Sequence, residues 1–127
     1  MQKDFDKWNS KKKQLNENRF SDYVRTKEVW WCSLGVNIGF EQDGKHEYFE
    51  RPILVIRKFS RDVVLAVPIS TKVKDNKYYV NFIHNDHEFS ALISQIRLIS
   101  TKRLSRKIYE MSGITFDKIR EALRNLI

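Results

Sequence analysis

The chain has 127 residues, with 24 Lys and Arg against 16 Asp and Glu, a formal net charge of +8 at pH 7, 41% hydrophobic residues and 13% aromatic residues. That size holds one domain with a short appendage, and the mixture of apolar and charged residues excludes both a disordered chain and one built to span a membrane. The excess of positive charge, with a pI near 9.7, favours polyanionic partners, nucleic acid first, although a basic surface also serves simply to keep a small protein soluble. No apolar run is long enough to cross a bilayer and the N-terminus lacks the apolar segment of a signal peptide. The single cysteine, Cys32, cannot form an internal disulfide, so a cytoplasmic protein is expected.

Residues 1–27 carry eight basic and four acidic residues around sparse apolar points at Phe5, Trp8, Leu15 and Phe20. The spacing of Trp8, Lys11, Lys12 and Leu15 predicts a short helix over residues 5–16 with Asp4 as its N-cap. It is either a basic arm for nucleic acid or an acidic partner, or a solvated helix packed on the edge of the domain. Residues 28–34, EVWWCSL, read as a strand from their aromatic and β-branched content. Trp30, Cys32 and Leu34 share one face and Val29, Trp31 and Ser33 the other, so this strand either exposes one tryptophan for base stacking or buries both. Residues 35–50 form a long polar loop with Glu41, Asp43, His46 and Glu47. No Gly-Lys-Ser/Thr follows its glycines, so it is not a phosphate-binding fingerprint; its carboxylates and imidazole are either acid–base groups or ordinary loop residues.

Residues 50–71, ERPILVIRKFSRDVVLAVPIST, hold the two strongest apolar runs. Both are β-branched, of strand length and too apolar to alternate, which predicts strands buried on both sides. The link between them is short enough for a hairpin, and a hairpin brings Arg51 to the same end as Ser70 and Thr71. A basic turn, KVKDNK, follows from Lys72. Residues 78–84 alternate as a half-buried strand, Asn85-Asp86 is a turn, and residues 89–99 read as one further strand with Gln95 and Arg97 on a shared face. Polar groups in that apolar run either line a site or satisfy structural hydrogen bonds. His84 and His87 with Asp86 and Glu88 lack a third ligand at a recognisable spacing, so no metal site is expected. Residues 101–110 read as a short basic helix through Leu104 and Ile108, and Thr115 as the N-cap of a C-terminal helix with Phe116, Ile119, Leu123 and Leu126 on one face. The sum is an α+β, mainly β fold: a small, largely antiparallel sheet or barrel of about five strands, a C-terminal helix and a short N-terminal helical extension.

The ordered set EVWWCSLGVNIGFEQDG, RPILVI, LAVPIST and LISQIRLISTKRLSRKI, ending in a helix, resembles the MazF/PemK family of toxins from bacterial toxin–antitoxin modules. The resemblance covers residues 28–127 as one domain and leaves residues 1–27 outside. It implies an SH3-like barrel, usually a homodimer, that cleaves single-stranded RNA with neither metal nor cofactor and is neutralised by a cognate antitoxin with an acidic, flexible tail. By position Arg51 matches the family's catalytic arginine, and Ser70 its hydroxyl residue, with Thr71 an alternative for that role. Glu41 and Gln42 match its Glu-Gln loop, and Gln95 and Arg97 its Gln-x-Arg. The loop between Gln42 and Arg51 is longer than the family's.

Arg51 suits stabilisation of a phosphorane-like transition state, because a guanidinium is permanently charged and forks onto phosphate oxygens. Ser70 or Thr71 would hold the phosphate or the 2′-hydroxyl in line, and Glu41 or His46 would move the proton. Lys72, Gln42, His46, Gln95 and Arg97 would bind neighbouring phosphates or bases. Two other functions compete: a non-enzymatic toxin resembling CcdB that binds DNA gyrase, and a nucleic-acid-binding barrel without chemistry.

Overall fold

The pair of strands at residues 50–71 is the centre of the architecture. In the computed structural model, which describes residues 23–33 and 50–127, β2 (Glu50–Lys58) and β3 (Val63–Ser70) form an antiparallel hairpin in the register Ile53 with Pro68 and Leu54 with Val67. The expected N-terminal helix, the loop with Glu41, Gln42 and His46, and Leu34 lie outside the described residues. Ile53, Leu54, Val55, Val64, Ala66 and Val67 are fully buried. Withdrawing each larger side chain from water is worth about 1.5–3 kcal/mol.

Both faces of this pair are covered, as the unbroken apolar runs required. One face packs with Trp30 and Cys32 of β1 (Glu28–Ser33), and with Val24, Ile99 and Leu104. The other packs with Val29, Ile69, Val80 and Phe82, and with Phe116, Ile119 and Leu123 of the C-terminal helix α1 (Gly113–Leu126). Of the two adjacent tryptophans, Trp30 is buried and Trp31 half-buried.

The remaining strands are β4 (Tyr79–His84), β5 (His87–Leu92), β6 (Arg97–Ser100) and β7 (Leu104–Glu110). All pairings are antiparallel, in the order β4-β5-β3-β2-β1-β7 with β6 also on β3. Asn85 and Asp86, both at positive φ, make the two-residue turn between β4 and β5, a turn that asparagine and aspartate tolerate. Among the described residues the hydrogen-bonded path stays open, with β4 and β7 at its ends, so a closed SH3-like barrel is not seen. None of the described helices is long and apolar enough to cross a membrane.

Three expectations change. Residues 89–99 are not one strand. The β5 register, Ile69 with Ala91, would continue to Ala66 with Ser94, but Ala66 pairs with Arg97 instead. The three residues of that step, Ile93–Gln95, are taken up in a 3-10 turn, which removes the shared strand face of Gln95 and Arg97. Residues 101–110 are not a helix: a 3-10 turn at Thr101–Arg103 leads into β7. Thr101 anchors that turn, its hydroxyl donating to the Arg61 carbonyl at 2.7 Å and its amide to the Asp62 carbonyl at 2.9 Å. The four-residue spacing of Leu104 and Ile108 fits a helix equally well, and the ladder with β1 decides for a strand. Among the described residues the sheet therefore has seven strands where about five were expected. Finally, the N-cap of α1 is Ser112, whose hydroxyl accepts from the Thr115 amide at 3.3 Å. Gly113 at the first helical position, a poor helix former, masks that start in the sequence.

Candidate active site

Arg51 is the second residue of β2 and Ser70 the last of β3. Continuing the register of Ile53 with Pro68 sets Arg51 across from Ser70, and strand alternation puts both on the same side of the pair. Each is almost wholly buried, at 3% and 5% exposure. The Arg51 Nη2 donates to the Ile69 carbonyl at 3.4 Å. Burial pulls the guanidinium pKa below its ordinary value, with the Tyr79 phenol pushing the other way; an arginine nevertheless stays charged at any physiological pH. The Ser70 hydroxyl accepts from the Lys72 amide at 3.0 Å, which orients it and directs its own proton elsewhere. Thr71 follows the strand end and is exposed.

These three residues border a cavity of about 500 Å³ at the end of the β2–β3 pair. Its described lining is mostly apolar, from Val29, Pro52, Ile69 and Ile108, with aromatic rings from Trp31, His84, Phe89 and Tyr109. Among the described lining residues the one carboxylate is Glu50, whose Oε2 accepts from the Ser105 hydroxyl at 2.6 Å. Ser105 also stands 3.3 Å from the Trp31 carbonyl oxygen. Trp31 lies under Arg106, with the guanidinium carbon 5.4 Å from the ring centroid. His84 and Tyr109 are stacked, centroids 3.6 Å apart and planes within 10°. Burial pushes the Tyr109 phenol up to about 12, so it stays a protonated donor at neutral pH.

The structure thus gathers Arg51, Ser70 and Thr71 as the hairpin argument required. Lys72 is exposed just beyond them. Gln95 is half-buried in its 3-10 turn, Arg97 is exposed at the start of β6, and neither is among the described lining residues. Glu41, Gln42 and His46 are outside the described residues. Among the described residues no three His, Cys, Asp or Glu side chains gather as a metal-ligand set. Glu50, His84 and Tyr109 are lining residues that the sequence reading did not single out for this site. For Glu50 its place beside Arg51 was an available signal; for the stacked pair there was none, because Tyr109 lay in a segment read as helix.

Comparison with known proteins bears on the family and the fold. Residues 25–127 match the family described as PemK-like, MazF-like toxin of type II toxin–antitoxin system. No curated protein matches. Among solved structures, MazF from Deinococcus radiodurans is 18% identical, with 81% of this chain and 94% of that one covered and a TM-score of 0.68. The MazE–MazF structure from the same organism is 16% identical over 81% and 93%, with a TM-score of 0.63. An endoribonuclease in complex with its cognate antitoxin, from a mycobacterial species, is 19% identical over 80% and 92%, with a TM-score of 0.62. At those identities the solved structures speak for the fold, and the family match over most of the chain speaks for descent: this chain belongs to the PemK/MazF-like toxins of type II toxin–antitoxin systems.

Proposed function

We propose that the protein is an endoribonuclease toxin that cuts single-stranded RNA at selected sequences, without a metal ion, and thereby stops translation and growth. The observation that carries this reading is the buried Arg51 set across from the oriented Ser70 hydroxyl at the border of a cavity. In the reaction the ribose 2′-oxygen attacks the adjacent phosphorus, the bond to the 5′-oxygen breaks, that oxygen takes up a proton from solvent to leave as a 5′-hydroxyl, and a 2′,3′-cyclic phosphate remains on the upstream fragment. Arg51 stabilises the extra negative charge on the phosphoryl oxygens. Ser70 donates to the phosphate or holds the 2′-hydroxyl in line, with Thr71 the neighbouring alternative. A carboxylate takes the 2′-proton: Glu41 by resemblance to the family, or Glu50 by its place in the cavity lining. Lys72, Arg97, Gln95, Gln42 and His46 extend the binding surface to neighbouring nucleotides.

The net charge of +8 suits both RNA and the acidic tail expected of a cognate antitoxin, and a cognate antitoxin is bound in the mycobacterial endoribonuclease structure. A cytoplasmic homodimer with a completed SH3-like barrel is the assembly this reading expects. The test is incubation of the purified protein with a synthetic single-stranded RNA in excess chelator. Discrete fragments ending in a cyclic phosphate support the nuclease. RNA retained intact supports a binding module, and neither cleavage nor retention supports a toxin aimed at a protein such as gyrase. Cleavage only after metal is added contradicts the mechanism.

A further inference from the structure

Arg51 sits where the ladder that holds it is thinnest. Among the described residues the pairing of β2 with β3 ends at Ile53 with Pro68, so Glu50 and Arg51, at the start of β2, are paired with β1 alone, through Ser33 and Cys32. Pro52 and Pro68 bring no amide donor to that end of the sheet. The Arg51 guanidinium meanwhile reaches the Ile69 carbonyl at 3.4 Å, close to the limit of a hydrogen bond, so a small shift of the strand start breaks the contact.

A side chain from β7 holds that start from the other direction. Beside the cavity Trp31 pairs with Arg106 and Cys32 with Leu104, which leaves Ser105 between them as an extra residue, and a bulge of this kind re-aims its side chain. The Ser105 oxygen lies 3.3 Å from the Trp31 carbonyl oxygen, and the hydroxyl donates to Glu50 Oε2 at 2.6 Å. With β1 between β7 and β2, that bond joins strands two spacings apart, about 9.5 Å. Its acceptor belongs to the residue next to Arg51.

We propose that Ser105 is a positioning residue: by holding Glu50 across β1 it fixes the start of β2, and with it the Arg51 guanidinium, for the phosphate. This rests on the RNA-cleaving reading above and decides the role of one carboxylate named there, since Glu50 is then an anchor and not the group that takes the proton. Loss of the bond costs rate by displacing Arg51, and a displacement of about 1 Å at a reacting group can cost about a hundredfold.

The experiment is single-turnover cleavage of an RNA that wild-type protein cuts, measured against protein concentration to give a maximal rate and a half-saturating concentration. Wild type is compared with Ser105→Ala, Ser105→Thr, Glu50→Ala, Glu50→Gln and the double variant Ser105→Ala with Glu50→Ala. Each alanine variant should lower the maximal rate by about tenfold with the half-saturating concentration unchanged, and the double variant should be no slower than either, because both remove one bond. Ser105→Thr keeps the donor and Glu50→Gln keeps an acceptor, so both should cleave within about threefold of wild type. Losses that multiply in the double variant overturn the anchor, as does Ser105→Ala at the wild-type rate. Glu50→Gln as slow as Glu50→Ala assigns the proton to Glu50 and overturns it too. Failure of wild type to cut any RNA overturns the reading beneath it, and the positioning role with it.

Discussion

Two charged side chains in this small protein are buried to the same degree, Arg51 and Glu28, each 3% exposed, and the fold treats them in opposite ways. For Glu28 burial alone would raise the carboxyl pKa, but hydrogen bonds from Trp30 Nε1 at 3.0 Å and the Arg25 amide at 2.7 Å, with Lys107 at 3.0 Å, outweigh it and hold the group below its ordinary value. For Arg51 burial wins, and the guanidinium is pulled down. A charge that its surroundings favour belongs to the architecture. A charge for which burial is the larger effect gains from an arriving anion, and in the proposed reading that anion is a phosphate at the cavity that Arg51 borders. Under the proposed function, the contrast marks Glu28 as a structural ion and Arg51 as the candidate working one.

The comparison can be broken at either site. The largest expected effect is on the Arg51 side: Arg51→Ala should lower single-turnover RNA cleavage by about a thousandfold, the upper range for loss of one preorganised donor, with the circular dichroism spectrum unchanged. Next, Ser70→Ala should cost about a hundredfold in the same assay and Thr71→Ala no more than about threefold, since Ser70 is buried and oriented and Thr71 is exposed. The reverse order would move the catalytic hydroxyl to Thr71. On the structural side, Glu28→Ala should leave cleavage intact and lower stability by about 2 kcal/mol at pH 7, for lost hydrogen bonds to a buried charged group. Because the folded carboxyl titrates below its ordinary value, its contribution is fully present above that value. It disappears as pH falls through the lowered one, so the difference in urea midpoint from wild type should shrink at strongly acidic pH. The smallest effect belongs to Arg106→Ala, which removes the cation above Trp31. It should weaken RNA binding by about threefold and flatten the salt dependence by about one unit of slope.

How much of this was legible in the sequence follows from distance along the chain. The β2–β3 hairpin is a local event: two apolar runs and a short link determine it, and the same hairpin brings Arg51 to Ser70. The step between β5 and β6 is invisible to periodicity, because an apolar run looks continuous whether or not three residues leave the ladder in a 3-10 turn. β7 could not be read because its strand character comes from pairing with β1, far away in sequence. Everything that depends on β7 was lost with it: the hydrogen bond of Glu50 to Ser105, separated by 55 positions, and the stack of Tyr109 on His84. The buried role of Glu28 escaped for the same reason, since Lys107 also lies on β7.

The most direct test of the contrast between the two buried charges is the urea midpoint of Arg51→Met beside wild type, measured with and without an uncleavable 2′-deoxy RNA analogue. Methionine fills similar space without the charge that would meet a phosphate. Arg51→Met should therefore gain far less stability than wild type from the RNA. A variant stabilised by RNA to the same extent as wild type would show that Arg51 does not meet the bound strand and would contradict the account.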